Sequence, residues 1–211
     1  MTHMPPALTT SQKDRAVALL KVNGPMRGIE LSDAGIHPET LARMLKDQTL
    51  TRVARGLYQL ADAEITAPHD LAEVAKLVPK GVICLVSALQ FHELTLQIPG
   101  RVWLAIGSRA RKPGFDYPPT RVVRFGPRAL SLGVQTHIVD GVSVPIFDPA
   151  KTVVDCFRFR QRVGLDVALE GLHNVVRSGK AKPAQIIDYA REIRIWSVLR
   201  PYLETVVADG T

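Results

Sequence analysis

Five polar side chains near the start of the chain have the types and spacing that DNA recognition requires: Thr40, Arg43, Lys46, Arg52 and Arg55. The first three would lie on the polar side of a helix over residues 38–48, since residues three and four apart share a helix face. The last two lie around a glycine-bearing turn, where basic side chains would meet phosphate. Contacts to base edges give sequence specificity, and contacts to phosphates set the position of the protein on DNA. The pattern therefore predicts DNA contacts by these five residues.

The elements around these residues are those of a winged helix-turn-helix. Residues 27–34 predict a first helix, and Gly35 predicts a sharp turn after it. His37 and Pro38 take the cap and first-turn positions of the second helix. Two short apolar runs, residues 50–53 and 57–60, predict a hairpin. Helix-turn-helix shapes also occur in proteins that bind no DNA, so shape alone leaves that alternative open.

A second polar stripe occurs in the segment DPAKTVVDCFRFR, at Asp148, Lys151, Thr152 and Asp155. Its helical spacing predicts one shared face, which would suit a partner surface, phosphate handling or a catalytic cluster. The alternative is an ordinary capped helix with an internal Lys151–Asp155 pair. Asp140, Asp148 and Lys151 also loosely match the carboxylates and lysine of a metal-dependent nuclease.

Positive charge is concentrated in residues 101–130, which hold seven basic side chains and one acidic side chain. The whole chain has a formal net charge of +7, which favours a polyanionic partner. The block predicts a second basic face, or alternatively a solvated rim of loops, formed by Arg109, Arg111, Lys112, Arg121 and Arg124.

Composition limits the class of protein. The chain is 46% hydrophobic and 22% charged, as in ordinary globular proteins, and no apolar run reaches the ~20 residues of a membrane helix. The six histidines and two cysteines lack metal-ligand spacing, and no glycine-rich phosphate loop is present. We therefore expect a cytoplasmic protein with no metal, no cofactor and no catalytic site.

The remaining pattern predicts an α+β fold in two domains. Residues 1–62 would form the winged helix-turn-helix domain, residues 61–68 a connector, and residues 69–211 a mixed α+β domain. In the first half of the second domain we expect strands near residues 102–106, 121–125, 133–139 and 142–146, with short helices over residues 70–78 and 88–94, the latter capped by Ser87. Helices would follow, over residues 149–162, 165–177, 183–192 and 196–207.

Four motifs together resemble the AbiEi-type antitoxins, the regulatory halves of bacterial type IV abortive-infection toxin–antitoxin pairs. They are LTRVARGLYQL (residues 50–60), SALQFHELT (87–95), RVWLAIG (101–107) and IFDPAKTVVDCFRFR (146–160). The resemblance extends from about residue 11 to residue 180.

This resemblance implies an N-terminal winged helix that binds repeats upstream of its own operon and represses transcription. It also implies a C-terminal domain that counteracts a toxin of nucleotidyltransferase fold, often without a stable complex. The antitoxin role would then fall to the region of Asp148, Lys151, Thr152 and Asp155. Two alternatives stay open: a stand-alone regulator whose second domain senses a ligand or dimerises, and the metal-dependent nuclease.

Overall fold

The computed structural model describes residues 11–63, which we call the N-terminal unit, and residues 68–209, which we call the C-terminal region. The N-terminal unit contains three helices and three short strands in the order α1 (Gln12–Asn23), β1 (Met26–Arg27), α2 (Gly28–Asp33), α3 (Pro38–Lys46), β2 (Leu50–Ala54) and β3 (Leu57–Leu60). The strands form one antiparallel sheet in the order β1-β3-β2.

Local chemistry explains where these elements begin and turn. Ser11 caps α1, since its hydroxyl accepts a hydrogen bond from the backbone N–H of Asp14, whose carboxylate accepts from Ser11 in return. Gly35 adopts φ +81° between α2 and α3, a conformation that glycine alone adopts without steric cost. The buried side chains of the unit, among them Ala16, Leu31, Ile36, Met44 and Leu50, form one small core.

The C-terminal region is built on a five-stranded mixed sheet. Its elements are α4 (His69–Leu77), β4 (Val82–Ile83), α5 (Leu85–Phe91), β5 (Val102–Gly107), β6 (Thr120–Phe125), α6 (Pro127–Ser131), β7 (Val134–Val139), β8 (Val142–Phe147), α7 (Pro149–Arg158), α8 (Arg160–Val163), α9 (Leu165–Arg177), α10 (Pro183–Glu192) and α11 (Trp196–Asp209). The strand order is β6-β5-β4-β8-β7. Strands β5 and β6 are parallel, as are β4 and β8, while the other two pairings are antiparallel.

Two cores lie on the two faces of this sheet. On one face, Trp103, Phe125 and Phe147 pack with apolar side chains of α5, α7, α9, α10 and α11. On the other face, Leu104 and Ile146 pack with α4. The sheet is therefore covered by helices on both sides, which buries β5 almost completely.

The mixed α+β class is confirmed, but the predicted order of strands before helices is too simple. Helix α5, which was expected near residues 88–94, and helix α6, which was not predicted, both stand between strands. Gly126 takes the N-cap position of α6, and Pro127 lies in its first turn. Strand β1 was missed because two residues carry no periodic signal. The expected helices over residues 165–177 and 183–192 coincide with α9 and α10.

The two parts of the chain are packed against each other. The Arg27 guanidinium donates to the carbonyl oxygens of Lys76 and Leu77 at the end of α4, and Lys76 Nζ lies 2.7 Å from Glu30 Oε1. The predicted connector over residues 61–68 lies partly outside the described residues, and the division into two domains stays a prediction.

A buried histidine bridges the same interface. His69 Nδ1 lies 2.8 Å from Asp140 Oδ2, and its Nε2 lies 3.0 Å from Gln59 Oε1 and 3.1 Å from Glu73 Oε1. Glu73 is 2% exposed, and burial raises the pKa of its carboxyl to about 7, although His69 opposes that shift. The interface therefore contains an acid that titrates near neutral pH.

Candidate nucleic-acid interface

Helix α3 exposes one polar face. Leu41 and Met44 are buried against the core of the N-terminal unit, whereas Arg43 and Lys46 are exposed on the other side. Pro38 at the first helical position has no N–H to satisfy, and the His37 N–H donates to Gln12 Oε1 at 3.1 Å. Two cations thus project into solvent from a helix that is held firmly at its N-terminus.

The prediction that Thr40 contacts DNA is wrong for this structure. Thr40 is 4% exposed, and its hydroxyl donates to Gln12 Oε1 at 2.8 Å. Its spacing from Arg43 places it one turn earlier, but on the side that faces α1. Thr40 therefore joins α3 to α1, and its neighbours Arg43 and Lys46 form the solvent-facing side of the helix.

Helix α1 also fixes the turn and the end of α3. The Arg15 guanidinium donates to the Ala34 carbonyl at 2.9 Å, beside Gly35. Lys13 Nζ lies 2.6 Å from Asp47 Oδ2, and Thr49 donates to the same carboxylate. Hydrogen bonds from Lys13 and Thr49 lower the pKa of Asp47 to about 2. Asp47 is therefore engaged within the N-terminal unit.

The hairpin β2–β3 carries the second pair of cations. Arg52 and Arg55 are exposed, and Gly56, at φ +74°, makes the tight turn between the strands. The Gly56 carbonyl accepts a hydrogen bond from the Gly28 N–H at 2.9 Å, which ties the hairpin tip to the start of α2. Among the described residues, no carboxylate forms an ion pair with Arg43, Lys46, Arg52 or Arg55.

The polar stripe of α7 is not a surface, which corrects the prediction of a partner site there. Asp148, Lys151, Thr152 and Asp155 are at most 3% exposed. Asp148 caps the helix by accepting from the Lys151 N–H at 2.7 Å, and it also accepts from the Tyr189 hydroxyl at 2.7 Å. The Thr152 hydroxyl donates to the Phe147 carbonyl at 3.0 Å. The stripe is therefore an internal polar network.

Lys151 and Asp155 form a buried ion pair within that network. The Lys151 ammonium also lies 4.2 Å from the ring centroid of Phe147. Burial raises the pKa of Asp155 to about 6 and lowers the pKa of Lys151, because both charged forms are desolvated. No hydrogen-bond partner is present for Asp155 Oδ1, so the pair is imperfectly compensated.

The residues of the nuclease alternative have other partners. Asp140 faces His69 at the interface, Asp148 caps α7, and Lys151 is fully buried. The described part of the chain contains no group of three histidine, cysteine or acidic side chains that could hold a metal ion. No arrangement of carboxylates for metal-dependent hydrolysis is assembled there.

The predicted second basic face is exposed and partly gathered around a cleft. Arg109 and Arg111 lie outside the cleft, whereas Lys112, Arg121 and Arg124 line it. The structure adds Arg101, Phe159 and Arg162 to the same cleft. Arg162 was missed because it follows α7, nearly forty residues after β6, and only the tertiary fold brings it here.

Among the helices of the described residues, none has the length and apolar character that crossing a membrane requires.

Comparison with known proteins gives a family match for one segment and a fold match for nearly the whole chain. The family model AbiEi_4, described as "Transcriptional regulator, AbiEi antitoxin", matches residues 27–61. This confirms the resemblance for the segment that contains α2, α3 and the hairpin, and it supports a DNA-binding regulatory role. None of the curated protein sequences matches the chain.

One solved structure shares the fold over nearly the whole chain. It is the crystal structure of the RV2827C protein from Mycobacterium tuberculosis, with a TM-score of 0.62 and 15% sequence identity. The alignment covers 92% of this chain and 77% of that one. At this level of identity the likeness concerns the fold.

Proposed function

We propose that this protein is a winged helix-turn-helix DNA-binding regulator that represses its own operon. The observation that carries the proposal is the set of four exposed cations on two adjoining elements, Arg43 and Lys46 on α3 and Arg52 and Arg55 on the hairpin. A helix of about this length fits the major groove, where its polar face reads base edges. The match of residues 27–61 to a regulator model supports the same role.

The fixed position of the hairpin favours DNA binding over a helix-turn-helix shape without that function. Strand β1 joins the hairpin in one small sheet, and the Gly28–Gly56 hydrogen bond fixes the hairpin relative to α2. Helix α3 and the hairpin are therefore held in a constant relation, as recognition of a groove and its flanking phosphates requires.

The test is a gel-shift titration of the intact protein with its own upstream DNA and with scrambled DNA, at two salt concentrations. We expect a preference for the upstream fragment that survives added salt, because base contacts persist when phosphate contacts are screened. Equal binding of both fragments that disappears with salt would contradict base readout and leave only a basic surface.

We also propose that the C-terminal region acts as the antitoxin toward a nucleotidyltransferase toxin in the cytoplasm, without a cofactor. The AbiEi resemblance supports this role. The test is rescue of toxin-expressing cells by a full-length variant with Arg43→Ala and Lys46→Ala, which should lose operator binding and keep antitoxicity. Loss of rescue by this variant, shown to be folded and equally abundant, would contradict the division of roles.

A stand-alone regulator that senses a ligand is the second candidate, and one observation favours it. A cleft of about 570 Å³ lies between α4 and α5 and is lined by Leu71, Phe91, Tyr117 and Asp70. Helix α4 also contacts the N-terminal unit through Lys76. A small molecule whose addition changes operator affinity would support this candidate, and a neighbouring gene for a nucleotidyltransferase would favour the antitoxin.

A further inference from the structure

The basic cleft on the C-terminal region lies along an open edge of the five-stranded sheet. Strand β6 is the last strand on that side and pairs with β5 alone among the described residues. The cleft measures about 690 Å³ and is lined by both Thr120 and Arg121, which project to opposite faces of β6. It therefore wraps around the strand edge instead of lying on one face of the sheet.

Cations surround this edge on both faces. Arg121 lies on one face of the sheet, with its guanidinium 4.3 Å from the ring centroid of Trp103, its partner across the parallel pairing with β5. Arg124 lies on the other face and donates to the carbonyls of Ser108 and Ala110, which anchors the loop after β5. Further positive charge comes from three residues around the rim: Arg101, Lys112 and Arg162.

Negative charge is absent from the lining. None of the residues that line the cleft is acidic, and no carboxylate of the described residues forms an ion pair with these five cations. Five cations around one concave edge repel one another, and an anionic occupant would relieve that repulsion.

The edge selects between kinds of anion. An unpaired strand presents alternating N–H donors and C=O acceptors. Phosphates only accept hydrogen bonds, so the sugar–phosphate backbone of DNA would offer the carbonyls of β6 no donor and would bring negative charge next to them. A peptide strand pairs with both groups, and its alternating side chains reach the cations on both faces.

We propose that the β6 edge is a docking site for an extended acidic segment of a partner protein, which adds to the sheet as a strand. The backbone of the segment would pair with β6, and its carboxylates would meet Arg121 on one face and the cations of the other face. This surface is separate from α3 and from the hairpin, so the proposal does not depend on DNA binding.

The test measures binding of short labelled peptides to the intact protein by fluorescence anisotropy. The probe is a capped peptide of two glutamates, two valines and two glutamates in that order, which has the six-residue length of β6 and puts glutamates on both faces of an added strand. A second peptide replaces each valine with proline, which keeps the charge and removes backbone donors. We expect the proline peptide to bind at least ~10-fold more weakly, because strand addition requires those donors.

Substitutions in the cleft provide the second arm. The double variant Arg121→Ala with Arg162→Ala should bind the glutamate–valine peptide at least ~10-fold more weakly, since two cations that face its carboxylates are lost. Lys112→Ala should also weaken binding of this peptide, and it leaves the contact between Arg121 and the Trp103 ring intact. The matched control is Lys80→Ala, an exposed lysine outside the cleft, which should change nothing.

Three results would overturn the proposal. They are no measurable binding of the glutamate–valine peptide, equal binding of the proline peptide, and tighter binding of a single-stranded or duplex oligonucleotide that depends on the same arginines. The second result would indicate attraction by charge alone, and the third would assign the cleft to nucleic acid.

Discussion

Helices α3 and α7 begin alike and both carry polar residues at helical spacing, yet their polar faces lie in opposite environments. Each has proline at its first position, after His37 in α3 and Asp148 in α7. In α3 the residues Arg43 and Lys46 are exposed, whereas in α7 every residue from 150 to 157 is buried. Helical spacing determines which side chains share a face, and packing determines whether that face meets solvent.

The difference follows from the number of layers on each helix. Helix α3 packs on α1 and on the small sheet, which leaves its far side open. Helix α7 contacts α5, α9, α10 and α11. A polar stripe enclosed in this way must find its partners internally, and the Lys151–Asp155 pair supplies only part of them, since Asp155 Oδ1 has none. The polar face of α3 is available to a binding partner, and the polar face of α7 is part of the protein interior.

The largest expected effect is at the buried pair. Lys151→Ala should lower the free energy of unfolding by about 3–5 kcal/mol, because it leaves the Asp155 carboxyl buried without its cation. Urea denaturation followed by circular dichroism measures this. The matched control is the double variant Lys151→Met with Asp155→Leu, which should recover most of the loss. A cost for Lys151→Ala below about 1 kcal/mol would show that the pair is dispensable.

The next effect separates the two sides of α3. Arg43→Ala should weaken operator binding by about 1–3 kcal/mol, if it reads a base edge, while leaving stability unchanged. Thr40→Ala is the matched control on the same helix, and it should lower stability by about 1 kcal/mol through loss of its bond to Gln12. Operator titration and urea denaturation measure the two quantities. An equal loss on operator and random DNA would make Arg43 a phosphate contact.

An intermediate effect concerns the interface between the two parts of the chain. The pKa of Glu73 is raised from 4.5 to about 7. Between these two pH values the folded protein therefore keeps a proton on Glu73 that the unfolded chain has already released. Stability should therefore fall as pH rises from about 4.5 to about 7, by at most about 3 kcal/mol. Glu73→Gln should remove this fall, as measured by denaturation at several pH values. The same slope in wild type and variant would assign it to another group.

The smallest effect is at the hairpin tip. Arg55→Ala should weaken binding to operator and random DNA alike, and it should reduce the slope of log affinity against log salt by about 1. Titrations at several salt concentrations measure that slope. A change of sequence preference instead would place Arg55 in a groove, where it would read bases as we propose for α3.

Much of the N-terminal unit could be predicted from local signals. Gly35, Pro38 and the alternation around Gly56 mark turn, helix start and hairpin, because each depends on the backbone preferences of a few neighbouring residues. The helices near the C-terminus could be predicted equally well. Strand β1 could not be predicted because it has only two residues. The start of α5 could not be predicted because Cys84, at its N-cap position, makes no side-chain cap bond, while the Ser87 hydroxyl accepts from the Trp103 N–H instead.

The candidate site was predicted only in part. Arg43, Lys46, Arg52 and Arg55 were identified correctly as exposed cations, whereas Thr40 turned inward toward Gln12. The four residues of the α7 stripe were correctly grouped on one helix and wrongly placed at the surface. Each error arose because the residue is buried by a segment distant in sequence, and a local sequence pattern carries no information about such a segment.

The sequence by itself determined the class of fold, the turn chemistry around α3 and the concentration of positive charge in residues 101–130, since these depend on nearby residues. Tertiary structure alone decided which polar face meets solvent and which cations meet one another. Arg121 and Arg162 line one cleft because the sheet edge lies beside the end of α7. Burial and proximity are properties of packed elements, and packing joins segments that the chain keeps far apart.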